Sequence, residues 1–200
     1  MRELLDGWKL LGVIVVVLGL AVAALLWRMP DVEGVRAAIR LTARTSLLLF
    51  LAAFTAAALS RLAPGPLTAW QRRNRRTLGL GFAASHGLHA LAIVTFALAA
   101  PLEFGRATST ASFVFGGAAY AFIVAMAATS FDRTAAWIGP RAWKVLHTTG
   151  VYYLWFVFLI SFGMRTPARP WYAVFVALLV AAMAARLYAA RRGAALGSRA

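Results

Sequence analysis

The sequence predicts an all-α integral membrane protein, a six-transmembrane-helix bundle with both termini on the cytoplasmic side. Three observations carry that expectation. The 200 residues are 62% apolar and only 14% charged, whereas a soluble domain runs at about 45–50% and about 25%. The apolar residues gather in runs near the roughly 20 residues that cross about 30 Å of hydrocarbon as a helix. The 21 Lys and Arg against 6 Asp and Glu fall largely between those runs, as the positive-inside rule places them. Barrel strands would instead show period-2 alternation in much shorter segments.

In chain order, Leu10–Trp27 is the first span. Arg2 before it and Ala21-Val22-Ala23 within it also resemble a signal peptide, but the apolar run continues past that site to Trp27, which favours a span. Leu41–Ser60 follows, with Arg44 one turn inside its first end. Thr77–Ala100 contains His86 and His89, and Ala107–Phe131 supplies the fourth span. Val145–Met164 has His147 near its start. Trp171–Ala190 closes the set, with Arg186 expected to snorkel to the interface. Met29-Pro30-Asp31, Ala63-Pro64-Gly65-Pro66, Pro101, Gly139-Pro140 and Pro167 to Pro170 punctuate the runs as turns. Trp8, Trp27, Trp70, Trp137, Trp143 and Trp171 lie near span ends, as interface anchors do. No internal repeat stands out, so residues 1–200 read as a single membrane domain.

Six spans bring both termini to one face. Arg2, Lys9 and Arg61, with the basic residues of segments 72–76, 133–144 and 186–199, put fourteen of the 21 cations there. Arg28, Arg36, Arg40, Arg106, Arg165 and Arg169 lie on the other side. The richer face is expected to be cytoplasmic, in a multi-pass protein of the cell (inner) membrane. Topology thus accounts for the +15 charge without nucleic acid as a partner. The run Arg72-Arg73-Asn74-Arg75-Arg76 would also suit anionic lipid or a docked cytoplasmic flavoprotein. Asp31, Glu33, Glu103 and Asp132 read as solvated loop charges.

The chain has no cysteine, which excludes disulfides, thiolate zinc, iron–sulfur clusters and covalent c-type haem. Neither a Gly-x-x-x-x-Gly-Lys phosphate loop nor a Gly-x-Ser-x-Gly elbow occurs. His86-Gly87-Leu88-His89 lacks the glutamate and the i, i+4 spacing of a zinc-protease helix. Chemistry therefore rests on three histidines, all inside spans, where ionisable side chains are costly and usually face a functional interior. His86 and His89, three apart, share a helix face, and His147 lies on a span expected to run parallel to theirs. Imidazoles on facing helices are natural axial ligands for one non-covalent b-type haem. Gly79, Gly81, Ala83, Ser85 and Gly87, with Thr148 and Gly150, leave room for a flat ring or for close helix packing. By depth, His86 lies about 15 Å in, His89 about 20 Å and His147 about 9 Å, so His86 pairs more levelly with His147. Arg44 could neutralise a haem propionate or reach back to the outer surface.

Arg75-Arg76-Thr77-Leu78-Gly79-Leu80 followed by His89 resembles the third helix of the ferric-reductase-like transmembrane superfamily. Thr129-Ser130, Trp137, Gly139, Trp143, Leu146-His147 and Tyr152 resemble that family's loop and fifth helix. The nearest likeness is to the haem-binding membrane subunit of the periplasmic methionine-sulfoxide reductase system. It covers about residues 36–165, with Leu41–Pro64 matching only loosely. The resemblance implies b-type haem held by third- and fifth-helix histidines. Electrons would pass from a cytoplasmic flavin or quinol donor, a separate molecule since no flavin domain follows the sixth span, to an outer-face redox partner. On this alignment His89 and His147 are the axial ligands and His86 is an extra histidine. A second fifth-helix histidine of the family is replaced by Ile160, so at most one haem is expected, and Met164 one turn on would be a thioether substitute. The same departure fits a haem-less relative acting as an assembly partner or small transporter.

Overall fold

The structure, a computed structural model, describes residues 5–197; Arg2 and Arg199, counted above for topology, lie outside the described residues. Eight α-helices account for most of the described residues, and no strand occurs among them. They are α1 (Gly7–Arg28), α2 (Val32–Leu62), α3 (Pro66–Arg73), α4 (Arg75–Ala99), α5 (Pro101–Ala107), α6 (Thr110–Ala128), α7 (Asp132–Gly163) and α8 (Ala173–Gly197). A 3-10 turn, Pro170–Tyr172, introduces α8. Six of these elements are long and apolar enough to cross a membrane, matching the six expected spans. Large apolar side chains point outward, among them Trp27, Leu98 and Trp137 at 80–88% exposure. Water would not tolerate such a surface, and a lipid bilayer does.

Where the helices begin differs from the apolar runs, for local reasons. α2 starts nine residues before Leu41: Asp31 caps it by accepting from the Gly34 N–H at 3.0 Å. Glu33 then pairs with Arg36 and Arg40 at 3.4 and 3.9 Å, and Arg36 also meets Glu103 at 3.3 Å. These polar turns are helical but invisible to hydropathy. Pro66, Pro101 and Pro140 sit at turn signals, yet Pro66 and Pro101 each begin a short helix, since proline suits the first helical position. α7 is two helical pieces meeting at Gly139, whose φ of 78° and ψ of 161° lie where a side chain is strained and glycine is not. Asp132–Ile138 forms the first piece, so the fifth span proper follows the kink.

α2 is the central helix. It packs most extensively on α4, and also against α8, α1 and α3, while α6 pairs with α7. Its inward stripe of Leu47, Phe50, Leu51 and Phe54 meets Phe82 of α4, Phe158 and Phe162 of α7 and Leu179 of α8 in one core. At the opposite end from Arg44, Gln71 of α3 donates to Ala52 O at 2.7 Å and Thr55 Oγ1 at 3.1 Å, holding α3 on α2.

Asn74, 2% exposed, joins α3 to α4 and ties down the start of α1. Its Oδ1 accepts from Gly7 N at 2.9 Å, and its Nδ2 donates to Asp6 Oδ1 at 2.6 Å. Trp70 adds a bond from Nε1 to Leu5 O at 2.6 Å. Asn74→Ala leaves the Gly7 N–H without its partner, at a cost of about 1–3 kcal/mol. The expected result is a melting temperature lowered by roughly 2–4 °C per kcal/mol, with helicity by circular dichroism unchanged below the transition.

Candidate functional site

A cleft of about 420 Å³ opens between α2, α4, α6 and α7. Its walls carry Phe50, Phe54, Gly79, Phe82, Ala83, Ile123, Met126, Val151 and Leu154, and His147 faces it. Its mouth carries Arg72, Arg73, Arg75 and Arg76, with Arg186 and Asp132. Successive residues of α4 and α7 line it in the same order from the mouth inward, so these helices run parallel, as expected.

His147 stacks on Trp143 with ring centroids 4.1 Å apart and planes 21° from parallel. Its Nε2 lies 3.0 Å from Thr129 Oγ1, and that hydroxyl donates its proton to Ala125 O at 2.7 Å. The histidine is therefore the donor to Thr129, and in the neutral ring Nδ1 keeps its lone pair. Trp143 donates to Thr129 O at 2.9 Å, so α6 grips both rings. Trp143 turns inward, away from the interface-anchor role expected of it.

His89 is oriented by the same device. Its Nδ1 lies 3.1 Å from Ile39 O and 3.0 Å from Thr42 Oγ1. A carbonyl only accepts, and Thr42 directs its own proton to Ala38 O at 2.7 Å. Nδ1 therefore carries the hydrogen and Nε2 is left with a lone pair. A hydrogen bond of this kind fixes the tautomer and orientation of metal-ligating histidines. His86 differs: its Nδ1 is buried with no hydrogen-bond partner, and its ring lies among Phe82, Tyr120 and Phe158 at centroid distances of 5.4, 5.0 and 5.9 Å.

The structure thus brings His86 and His89 together, rings 5.1 Å apart, and sets His147 apart in the cleft. Phe82 lines the cleft and its ring also lies 5.4 Å from that of His86, so Phe82, backed by Phe158, stands between the cleft and the histidine pair. Arg44 lies elsewhere, in the N-terminal half of α2. Its guanidinium sits 4.6 Å from the Trp171 ring and donates to Tyr172 Oη at 3.4 Å, while its Nε is buried without a partner. Met164 is 78% exposed and Ile160 44%. Among the described residues no three His, Cys, Asp or Glu side chains converge.

Compared with known proteins, the chain matches no family model, no curated protein and no solved structure.

One expectation needs correction. Arg186 does not snorkel: its Nη1 donates inward to Phe54 O at 2.7 Å, and its guanidinium lies 4.3 Å from the Phe54 ring. An arginine amid apolar rings finds backbone acceptors and π-faces closer than the interface. Of the small residues, Gly79 and Ala83 do line the cleft. Gly81 instead admits Ile14 of α1, 3.1 Å from where a Cβ would stand, and Gly150 admits Met126 of α6. Asp132, Glu33 and Glu103 are exposed to solvent, as expected, and Asp132 also meets Arg76 at 3.0 Å. Sequence reasoning missed Thr42, Ile39 and Tyr120 around the histidines. Thr129 stood in the quoted motif, but its role as the partner of His147 depends on how α6 meets α7.

Proposed function

We propose that the chain is a membrane-embedded electron-transfer subunit that holds one non-covalent b-type haem through intramembrane histidines. His89 and His147 are the axial pair that the resemblance names, with His86 the alternative. The observation that supports this reading is the orientation of both imidazoles: Ile39 O and Thr129 Oγ1 each take one ring N–H, leaving the other nitrogen free. Both groups also serve their own helices, Thr129 by donating to Ala125 O and Ile39 O by accepting from Thr42. When bound, haem supplies a one-electron carrier inside hydrocarbon. The chain's part is to orient the imidazoles, to exclude water with Phe50, Phe82 and Phe158, and to leave an apolar cleft beside His147. Both termini are cytoplasmic in this reading, in the inner membrane. A separate cytoplasmic flavin reductase or quinol is the donor, and a redox protein on the outer face is the acceptor.

A second reading, a haem-less relative serving as an assembly partner or small transporter, has its own support. Ile160 stands where the family's further histidine would be, and Phe82 with Phe158 separates His86 from His147. Purified protein expressed with ample haem decides between them. The expected result is a reduced-minus-oxidised spectrum with Soret and α-bands, lost in His147→Ala while the variant still folds. A wild-type preparation with no such bands overturns the haem reading.

A further inference from the structure

The mouth of the cleft holds more positive charge than the protein itself answers. Five guanidinium groups line it against one carboxylate, Asp132, and Arg76 already occupies that carboxylate at 3.0 Å. Arg72 and Arg73 are exposed on α3, where solvent and ions answer them. Arg186 is not: its Nε is buried without a partner, and its Nη1 is committed to Phe54 O. Arg75, exposed like Arg72 and Arg73, lines the same cleft as Arg186 at the start of α4. Two cations lining one cleft beside apolar rings, one of them with an N–H unanswered, are stabilised by an anion between them. A guanidinium fork matches phosphate oxygens in a bidentate way. Inward from the arginines the walls become Phe50, Phe54, Phe82, Ile123 and Leu154, which offer nothing to a small hydrated ion. The volume, about 420 Å³, falls in the range of small-molecule sites.

We infer that this cleft binds an acidic amphiphile, with its phosphate between Arg75 and Arg186 and its apolar body against the phenylalanines. Acidic membrane lipids present this chemistry at the depth where a span meets the cytoplasm. The inference does not rest on the haem reading, because it needs only the arginines and the apolar walls; a ring held on His147 would fill the inner part of the same cleft, so haem and lipid are alternative occupants of it.

The test uses the full chain purified in zwitterionic detergent, with thermal melting as the readout. Three probes are titrated: a short-chain acidic phospholipid, a zwitterionic phospholipid with the same chains, and inorganic phosphate. The acidic lipid is expected to raise the melting temperature by several degrees at saturation, and the other two to have little effect. Arg186→Gln abolishes the shift and Arg75→Gln weakens apparent affinity about tenfold, as the loss of one charge-assisted bond does. Arg72→Gln with Arg73→Gln leaves the shift in place. Should Arg186→Gln fail to fold, Arg186→Lys keeps the charge, loses the fork and is expected to bind more weakly than wild type. An equal shift in every variant overturns the site and leaves simple surface attraction. A full shift with inorganic phosphate overturns the amphiphile and leaves a free-ion site. Loss of haem absorbance in Arg186→Gln, with no lipid shift in wild type, assigns the arginine to haem carboxylates instead and also overturns it.

Discussion

His89→Ala is expected to remove the haem spectrum and His86→Ala to retain it. The two histidines are one turn apart, with rings 5.1 Å from each other, and depth alone favours His86. Their partners favour His89. His89 gives its Nδ1 hydrogen to Ile39 O at 3.1 Å, which aims Nε2 and raises its basicity, and loss of such outer partners typically costs 10–100-fold in metal affinity. His86 has no such bond, since its Nδ1 is buried and unpartnered. Thr42→Val provides an intermediate case: it removes one acceptor 3.0 Å from Nδ1 and leaves the carbonyl. Haem retained, with a shifted redox midpoint, is the expected outcome there. Pyridine haemochrome content and the reduced α-band measure all three variants. Bleaching by His86→Ala alone would assign the ligand to His86, the choice that level geometry favours.

Gly34→Ala is expected to be the most destabilising glycine-to-alanine change among the described residues. Gly34 stands in the first turn of α2, directly beneath the link from α1. A Cβ there would fall on the backbone oxygen of Met29 and lie 2.9 Å from its carbonyl carbon. The obstruction is main chain, which cannot rotate aside as a side chain can. Alanine ordinarily favours a helix over glycine by about 1 kcal/mol, but moving the Met29-Pro30 link outweighs that. A net loss of about 2–4 kcal/mol is the scale of strain and overpacking. Gly12→Ala is the control, because nothing lies within 4 Å of the Cβ it would add, and it should melt at or slightly above wild type. Equal melting of the two variants would show that the α1–α2 link yields freely.

Much of this architecture was legible in the amino-acid order. Hydropathy located all six spans, because a helix that meets lipid must be apolar on its outer side whatever its inner side does. It misplaced the ends, since Glu33, Arg36 and Arg40 form helical turns by pairing with one another, and hydropathy scores them as loop. The histidines were conspicuous because charge-capable groups are rare at that depth. What held them was not conspicuous. Ile39 acts through a carbonyl that every residue has, and Thr129 acts through where α6 happens to meet α7. Arg186 was misread for a related reason: whether an arginine turns out to the interface or in to Phe54 O is decided by a helix 132 positions away in sequence.

The contact between α2 and α4 carries a further consequence. Ser46 Oγ meets Ser85 Oγ at 2.9 Å, and Thr42 meets His89 one turn away. In oil, two long apolar helices have little reason to prefer one vertical offset over another. Here the offsets are not equivalent. Slid by one turn, about 5.4 Å, in one direction, Ser46 would face Gly81 and His89 would face Ala38. Slid the other way, Ser85 would face Phe50 and Thr42 would face Ile93. Each slip keeps one polar pair, Thr42 on Ser85 or Ser46 on His89, but strands the remaining two polar groups against carbon, so these side chains work as the teeth of a vernier. The height of the His89 ring in the bilayer is chosen, in effect, by two serines a turn away.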